Sequence, residues 1–406
     1  MTWVSAASWT LKEYGGCDMA RRRQRLAQRR QAMGLTQEGL AEHLGVDRST
    51  VVRWEAGTAS PQPWMRPRLA ETLGVSVTEI VELLQRETGP SPGRPALHEP
   101  TRSGTAQVDL TSVAELRREY DELAASYDQA PSASLLAKGG EQLSLITLMA
   151  RKGPRGRAER ELLALRADVL TLMGQLVWDA SQRRDHATAR GFYDESVGVA
   201  RRLRDHTLEG RALLRTCYVE LYGAQDPRSG LDLALQAANT ARATSPAVTG
   251  LALLHAGEAH AMLGEASDCE KALAQAQQQL EQTDGMDAAA DLVSSTQFGR
   301  LAGSCYLSLG QHRRAQKFLE TTATELQDRR KSRAIVLGNL TLAYIRQGEI
   351  DGAVATLAEA ITELERTRGG GGLNVVFGAA RELGPWRNER IVADVHDRLF
   401  ALMTTA

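Results

Sequence analysis

The stretch GLTQEGLAEHLGVDRSTVVRWEAG, Gly34 to Gly57, decides how this chain is read. Its apolar residues fall in two short runs at helical spacing, with Leu40 and Leu44 inward in one and Val51 and Trp54 inward in the other. Thr36 is an N-cap for TQEGLAEHL, and Gly45 permits a sharp left-handed turn at GVD. Asp47 caps the next helix, which stops at Ala56-Gly57. Upstream, RRRQRLAQRRQAMG predicts a helix with Leu26 and Met33 on one face and Gly34 as its C-cap. Downstream, Ser76 and Glu79 form a capping box that opens VTEIVELLQ. Two helices joined by a three-residue glycine turn, inside a five-helix unit over residues 19–86, make a helix-turn-helix arrangement.

With Val51 and Trp54 inward, Arg48, Ser49, Val52 and Arg53 share the opposite, outward face of the third helix. Arginines there suit bidentate contact to guanine O6 and N7, and Val52 suits a thymine methyl. Thr36 and Gln37, at the start of the second helix, can meet phosphate together with free backbone N–H groups. Arg21, Arg22 and Arg23 read as a solvated or phosphate-brushing run.

This stretch, followed by LAETLGVSVTEIVELL, resembles the Xre/phage-repressor helix-turn-helix family over about 65 residues. The resemblance implies a lambda-repressor-like DNA-binding domain in which Gln37, Arg48, Ser49 and Arg53 occupy DNA-reading positions. It also implies a structural salt bridge between Arg30 and Glu55. The segment SPQPWMRPRL is slightly longer than in common members and leaves Arg66 and Arg68 without an assigned role.

The net charge hides this basic unit. The 406 residues carry Lys+Arg 49 against Asp+Glu 50, a formal charge of −1. Between Arg21 and Arg68, however, ten arginines face only four acids, so this segment carries +6 and the remainder −7. Hydrophobic content of 42% with 24% charged residues fits a globular protein. No run approaches the roughly 18 apolar residues of a membrane span, and the N-terminal sequence has no secretory pattern. Cys17, Cys217, Cys269 and Cys305 are dispersed, matching neither a disulfide framework nor a zinc site. A cytoplasmic protein without metal or cofactor is expected.

Residues 1–18 form an N-terminal extension and 87–109 a linker, in which Pro90, Pro92, Pro95 and Pro100 break any helix. Beyond it the composition is helical, and helix pairs recur. Leu340, Tyr344, Gly348, Ala353 and Ala360 keep tetratricopeptide spacing, as do Gly303, Tyr306, Gly310, Ala315 and Leu319. Gly257, Gly264, Leu273 and Ala276 form another copy, and Leu176, Ala189 and Tyr193 a fourth. A degenerate fifth lies around LLRTCYVELYGAQDPRSGLDLALQAA. The fold class is therefore all-α: a DNA-binding head, then an α-solenoid of about five tetratricopeptide-like pairs over 110–366, with capping helices in 367–406. The Gly369–Gly372 run lacks the rest of a P-loop and reads as flexible linker.

A solenoid presents a concave groove lined by the first helix of each pair. By likeness to peptide-binding repeats, Gln175, Trp178, His255, Glu258, Gln297, Arg300, Asn339 and Arg346 project there. His255 and His260 miss the i, i+4 metal spacing and read as satisfied or surface histidines. No nucleophile–base set or carboxylate pair suggests an enzyme.

A helix-turn-helix head, a linker and a repeat body together resemble the cytoplasmic quorum-sensing regulators that bind signal peptides. That likeness implies a homodimeric regulator of transcription whose repeats dimerise and hold a peptide or small-molecule effector, with double-stranded DNA as the other partner. The alternatives are an interaction scaffold or response-regulator-binding protein with a secondary DNA-binding role.

Overall fold

The structure is a computed structural model that describes residues 23–61, 65–75, 77–84, 108–367 and 371–404. The chain divides into two compact units, Met1–Thr101 and Arg102–Ala406. Every regular element among the described residues is helical. The expected Ser76 cap and most of the proline-rich linker lie outside them.

The first unit contains α1 (Gln24–Ala32), α2 (Gln37–Leu44), α3 (Arg48–Glu55), α4 (Arg66–Leu73) and α5 (Val77–Leu84). Thr36 accepts a hydrogen bond from Gly39 N at 2.9 Å, satisfying one free donor at the start of α2. Gly45 closes α2 at φ +66°, a conformation that costs glycine little. The core gathers Leu26, Leu40, Leu44, Val51, Trp54, Leu69, Leu73 and Ile80. Met33 departs from the expectation: α1 ends at Ala32, so Met33 falls outside the helical register and is exposed.

The second unit opens with α6 (Leu110–Ala125) and α7 (Ser132–Arg151). Five antiparallel pairs follow: α8 (Arg157–Ala180) with α9 (His186–Leu203), and α10 (His206–Val219) with α11 (Pro227–Ala241). Next come α12 (Pro246–Met262) with α13 (Ala266–Glu281), and α14 (Thr296–Ser308) with α15 (His312–Glu325). The last is α16 (Arg330–Ile345) with α17 (Ile350–Thr367), followed by α18 (Gly371–Glu382) and α19 (Arg390–Thr404). Asp185, Asp205 and Asp226 cap α9, α10 and α11 through backbone N–H groups. Gly264, Gly310 and Gly348 take φ +79°, +73° and +79° in the turns of three pairs, which explains their recurrence. Residues 110–366 thus hold α6–α7 ahead of five further pairs.

Close packing follows from the small residues. A Cβ on Gly174 of α8 would stand 2.5 Å from the buried Tyr193 ring of α9. Gly371 and Gly372 open α18 and are buried, where a flexible linker was expected. Gly371 leaves no room for a side chain beside the Arg183 guanidinium, and a Cβ on Gly372 would meet Ala334 at 2.8 Å.

The degenerate copy has a physical cause. After α10 the chain runs through a π-helical segment, Glu220–Ala224, which ends at Gln225 with φ +55°. A π turn adds one residue and shifts the phase of the repeat.

The solenoid turns back on itself. The turn between α6 and α7 meets the start of α16: Lys331 Nζ donates to Ser132 Oγ at 2.7 Å, and Gln129 Nε2 donates to the Asp328 carbonyl. Ser332 Oγ donates to Asp128 Oδ1 at 3.4 Å. These partners lie about 200 residues apart in sequence, so α8, α10, α12, α14 and α16 bound a curved interior.

Candidate nucleic-acid interface and solenoid interior

On α3, Val51 and Trp54 are buried, and Arg48, Ser49, Val52 and Arg53 are all exposed on the other side. Arg53 Nη2 lies 3.2 Å from Thr50 Oγ1, which holds the guanidinium along the helix without neutralising it. A shallow surface groove beside this face is lined by Arg30, Gln31, Gly34–Glu38 and Arg48. Thr36 and Gln37 therefore share one surface with Arg48.

Behind that surface lies the pair tying α1 to α3. Arg30 Nε donates to Glu55 Oε1 at 2.6 Å, and both side chains are buried. Arg30 Nη1 also donates to the Leu35 carbonyl at 2.7 Å, in the turn leading into α2. Gln37 Nε2 donates to Glu55 Oε2 at 2.7 Å. Gln37 thus stands on the groove with its amide orientation fixed from behind, a restraint the sequence did not indicate.

Arg23 is not part of the solvated run that its sequence context suggests. It is buried, and its guanidinium donates to the carbonyls of Trp54 (3.2 Å) and Ala59 (2.7 Å) and to Ser60 Oγ (2.7 Å). It satisfies free carbonyls at the end of α3 and is no solvated phosphate contact. Arg21 and Arg22 lie outside the described residues.

In the second unit, the inward faces of α8, α10, α12 and α14 build a ladder of rings and cations. The Arg183 guanidinium lies 4.5 Å from the Trp178 ring and 5.6 Å from that of Tyr222. Tyr222 meets His255 edge-on with centroids 6.0 Å apart, His255 lies 4.3 Å from Tyr218, and Arg215 covers Tyr218 at 5.2 Å. The π segment presents Tyr222, and Arg183 holds φ +61° next to Gln182 at φ +53°. Left-handed backbone at two successive non-glycine residues is strain retained by the surrounding contacts.

The polar groups of the ladder are ordered. Tyr222 donates its hydroxyl proton to Glu258 Oε2, and Ser304 Oγ donates to Glu258 Oε1 at 2.6 Å. Burial and the Glu258 charge push the Tyr222 pKa well above its ordinary value, keeping that proton in place. Burial alone would raise the Glu258 pKa, but the His255 Nδ1 edge, 3.4 Å from Oε2, and the hydrogen bonds from Ser304 and Tyr222 outweigh it and hold the carboxylate below its usual range. Burial lowers the His255 pKa, and the charges of Arg300 and Arg215 add to the effect. His255 is then neutral. Its Nδ1 lies 2.8 Å from the Tyr222 oxygen, whose proton is already committed, so Nδ1 carries the hydrogen and donates. His255 Nε2 and Trp178 Nε1 are both buried and have no hydrogen-bond partner among the described residues.

Of the residues expected in the groove, Trp178, His255, Glu258 and Arg300 therefore belong to one region, and Gln175 reaches it through the hydroxyl of Tyr127. Gln297 and Asn339 stand half-buried on α14 and α16. Arg346 is not brought in: it lies just past the end of α16, exposed, and pairs with Glu382 at 2.9 Å. His255 is neither a surface histidine nor a fully satisfied one. Tyr218, Tyr222, Arg183 and Arg215 were missed by sequence reasoning; aromatic residues at one-turn spacing beside a degenerate repeat were the available signal.

A compact five-helix head with a basic, exposed helix face defines a helix-turn-helix protein that binds DNA. A helix-turn-helix domain family matches residues 23–83. An uncharacterised HTH-type transcriptional regulator of Methanothermobacter thermautotrophicus is 37% identical over 62 residues, 15% of this chain and 90% of the relative. The chain belongs to the HTH-type transcriptional regulators. Among solved structures, the chain is similar to a Rap protein complexed with competence and sporulation factor. The identity is 13%, covering 72% of this chain and 98% of that one, with a TM-score of 0.40. It is also similar to Bacillus thuringiensis PlcR in complex with the peptide PapR7 and DNA. There the identity is 14%, the coverage 82% and 99%, and the TM-score 0.30. No helix among the described residues is long and apolar enough to cross a membrane.

Proposed function

We propose that the chain is a cytoplasmic, homodimeric regulator of transcription controlled by an effector held inside its solenoid. Arg48, Ser49, Val52 and Arg53 read base edges, while Thr36 and Gln37 meet the backbone of the operator. Two heads on a pseudo-palindromic operator would occupy half-sites about one helical turn apart, or a multiple of it. A peptide or small molecule in the interior acts by binding one arrangement of the heads better than the other. The observation that carries this reading is that Trp178 Nε1 and His255 Nε2, two buried polar atoms of one aromatic cluster, have no hydrogen-bond partner among the described residues. Leaving such groups unsatisfied costs about 1–3 kcal/mol each, a cost that a bound ligand removes.

The test has two readouts on the full chain. Selection from random duplex DNA is expected to return two-fold-symmetric sites bound by a dimer; asymmetric sites bound by a monomer would count against the operator reading. A low-mass fraction from the host is expected to change operator affinity at least tenfold for the wild type and not for Trp178→Ala. An equal response from both proteins would remove the solenoid interior as the sensor.

A further inference from the structure

Arg215 on α10 and Arg300 on α14 are half-buried, and neither has an ion-pair partner among the described residues. Most of the acids nearby are engaged by other groups. Asp168 takes Arg117 at 2.6 Å and Arg211 at 3.0 Å. Asp179 takes the Tyr127 hydroxyl and lies 4.0 Å from Lys331 Nζ and 3.9 Å from Arg183 Nε. Glu258 takes Tyr222 and Ser304; Asp128 accepts from Ser332 through Oδ1, and its buried Oδ2 has no hydrogen-bond partner among the described residues and lies beyond ion-pair distance of both arginines. Arg215 lies over Tyr218, itself against His255, and Arg300 stands one helical turn before Ser304 on α14, whose hydroxyl donates to Glu258 of the same cluster at 2.6 Å. Two guanidinium groups without an ion-pair partner among the described residues therefore stand at one aromatic cluster, in a region partly withdrawn from water. A partly buried cation without a counter-charge is costly, and an arginine presents a planar fork that matches a carboxylate.

The same cluster fixes a second requirement. Because the Tyr222 proton is given to Glu258, the His255 proton sits on Nδ1 and Nε2 is a bare acceptor. A ligand seated there must offer an N–H or O–H donor close to its anionic group.

We infer that the interior recognises an α-amido carboxylate, the carboxylate paired with Arg300 and Arg215 and the adjacent amide N–H donated to His255 Nε2. This chemistry has two sources, the free C-terminus of a linear peptide and an N-acylated amino acid. The inference rests on the effector reading above and specifies its ligand.

The experiment uses the full-length protein and two probe sets: the twenty N-acetyl amino acids, and the twenty pentapeptides Ala-Ala-Ala-Ala-Xaa. Each probe is supplied with a free carboxylate and as its C-terminal amide. Binding is read by thermal unfolding and by titration of intrinsic fluorescence. At least one free acid is expected to bind, with its amide at least tenfold weaker. Arg300→Gln and Arg215→Gln are each expected to abolish that preference, and His255→Phe to weaken acid and amide alike. Which set binds identifies the source. The inference is overturned if acid and amide bind equally, if no free acid binds, or if both arginine variants keep the preference. Equal binding of acids and amides would leave the effector reading standing. Selective binding of acids with no change in operator affinity would leave the carboxylate site standing and remove the effector reading.

Discussion

Arg30 and Glu55 form a buried, two-pronged contact, with Nε to Oε1 at 2.6 Å and Nη2 to Oε2 at 3.3 Å. Glu55 Oε2 also receives Gln37 Nε2. One carboxylate thus joins the end of α3, the body of α1 and the first residue of α2. The two helices of the helix-turn-helix motif and the helix behind them share this anchor.

Removing that anchor leaves a buried guanidinium uncompensated. Glu55→Ala is expected to destabilise the head by about 3–5 kcal/mol. Hydrogen exchange of the α1 and α3 amides in the full chain should accelerate, while exchange in α12 and α16 should not change. Uniform acceleration through both units would contradict a local role.

The exposed face of α3 gives a different outcome. Arg48→Ala and Arg53→Ala touch no core residue, so the fold should survive. On the operator each is expected to cost about 1–3 kcal/mol and to relax preference at one base position. Competition binding against single-base operator variants measures this. An unchanged preference in both variants would remove α3 as the reading element.

How far these sites could be read in advance depends on the range of the forces that fix them. Leu40, Leu44, Val51, Trp54, Thr36 and Gly45 announce the motif because their signals, periodicity and turn chemistry, act within a few residues. Arg23 was misread because its partners, Trp54, Ala59 and Ser60, lie 31–37 residues away, and nothing local marks it as buried. In the solenoid, Trp178 stands on α8 and His255 and Glu258 on α12 at the spacing the helical register gives. Tyr222 does not follow it, because the π segment at Glu220–Ala224 shifts the phase by a residue. Arg346 fails for the opposite reason: the register was extended beyond Ile345, where the helix has already ended.

Glycine in these helices has two opposite meanings, which substitution separates. At Gly174 a methyl group would press on the Tyr193 ring, and Gly174→Ala is expected to destabilise the solenoid by about 1–3 kcal/mol. Gly191, exposed on α9 with nothing within 4 Å of a Cβ, should respond the other way. Gly191→Ala is expected to stabilise by about 0.5–1 kcal/mol through helix propensity alone. Urea unfolding of the two variants checks the sign; destabilisation by both would refute the packing argument.

His255 and Glu258 both make the stability of the solenoid depend on pH. The folded His255 pKa lies below its ordinary 6.5, so on acidification the unfolded chain takes up this proton first. Its contribution to stability is therefore complete above about pH 6.5 and declines as pH falls below that value. The folded Glu258 pKa lies below its ordinary 4.5, so its contribution is present above that value and is lost as pH falls through the folded pKa. Both groups act in the same direction, but His255 acts first. The urea midpoint of the wild type should fall between pH 7.5 and 5.5, where Glu258 remains ionised. His255→Gln keeps a polar side chain and has no titration in that window, so its midpoint should fall less over the same interval. A variant with the full wild-type slope would show that His255 is not the group that titrates.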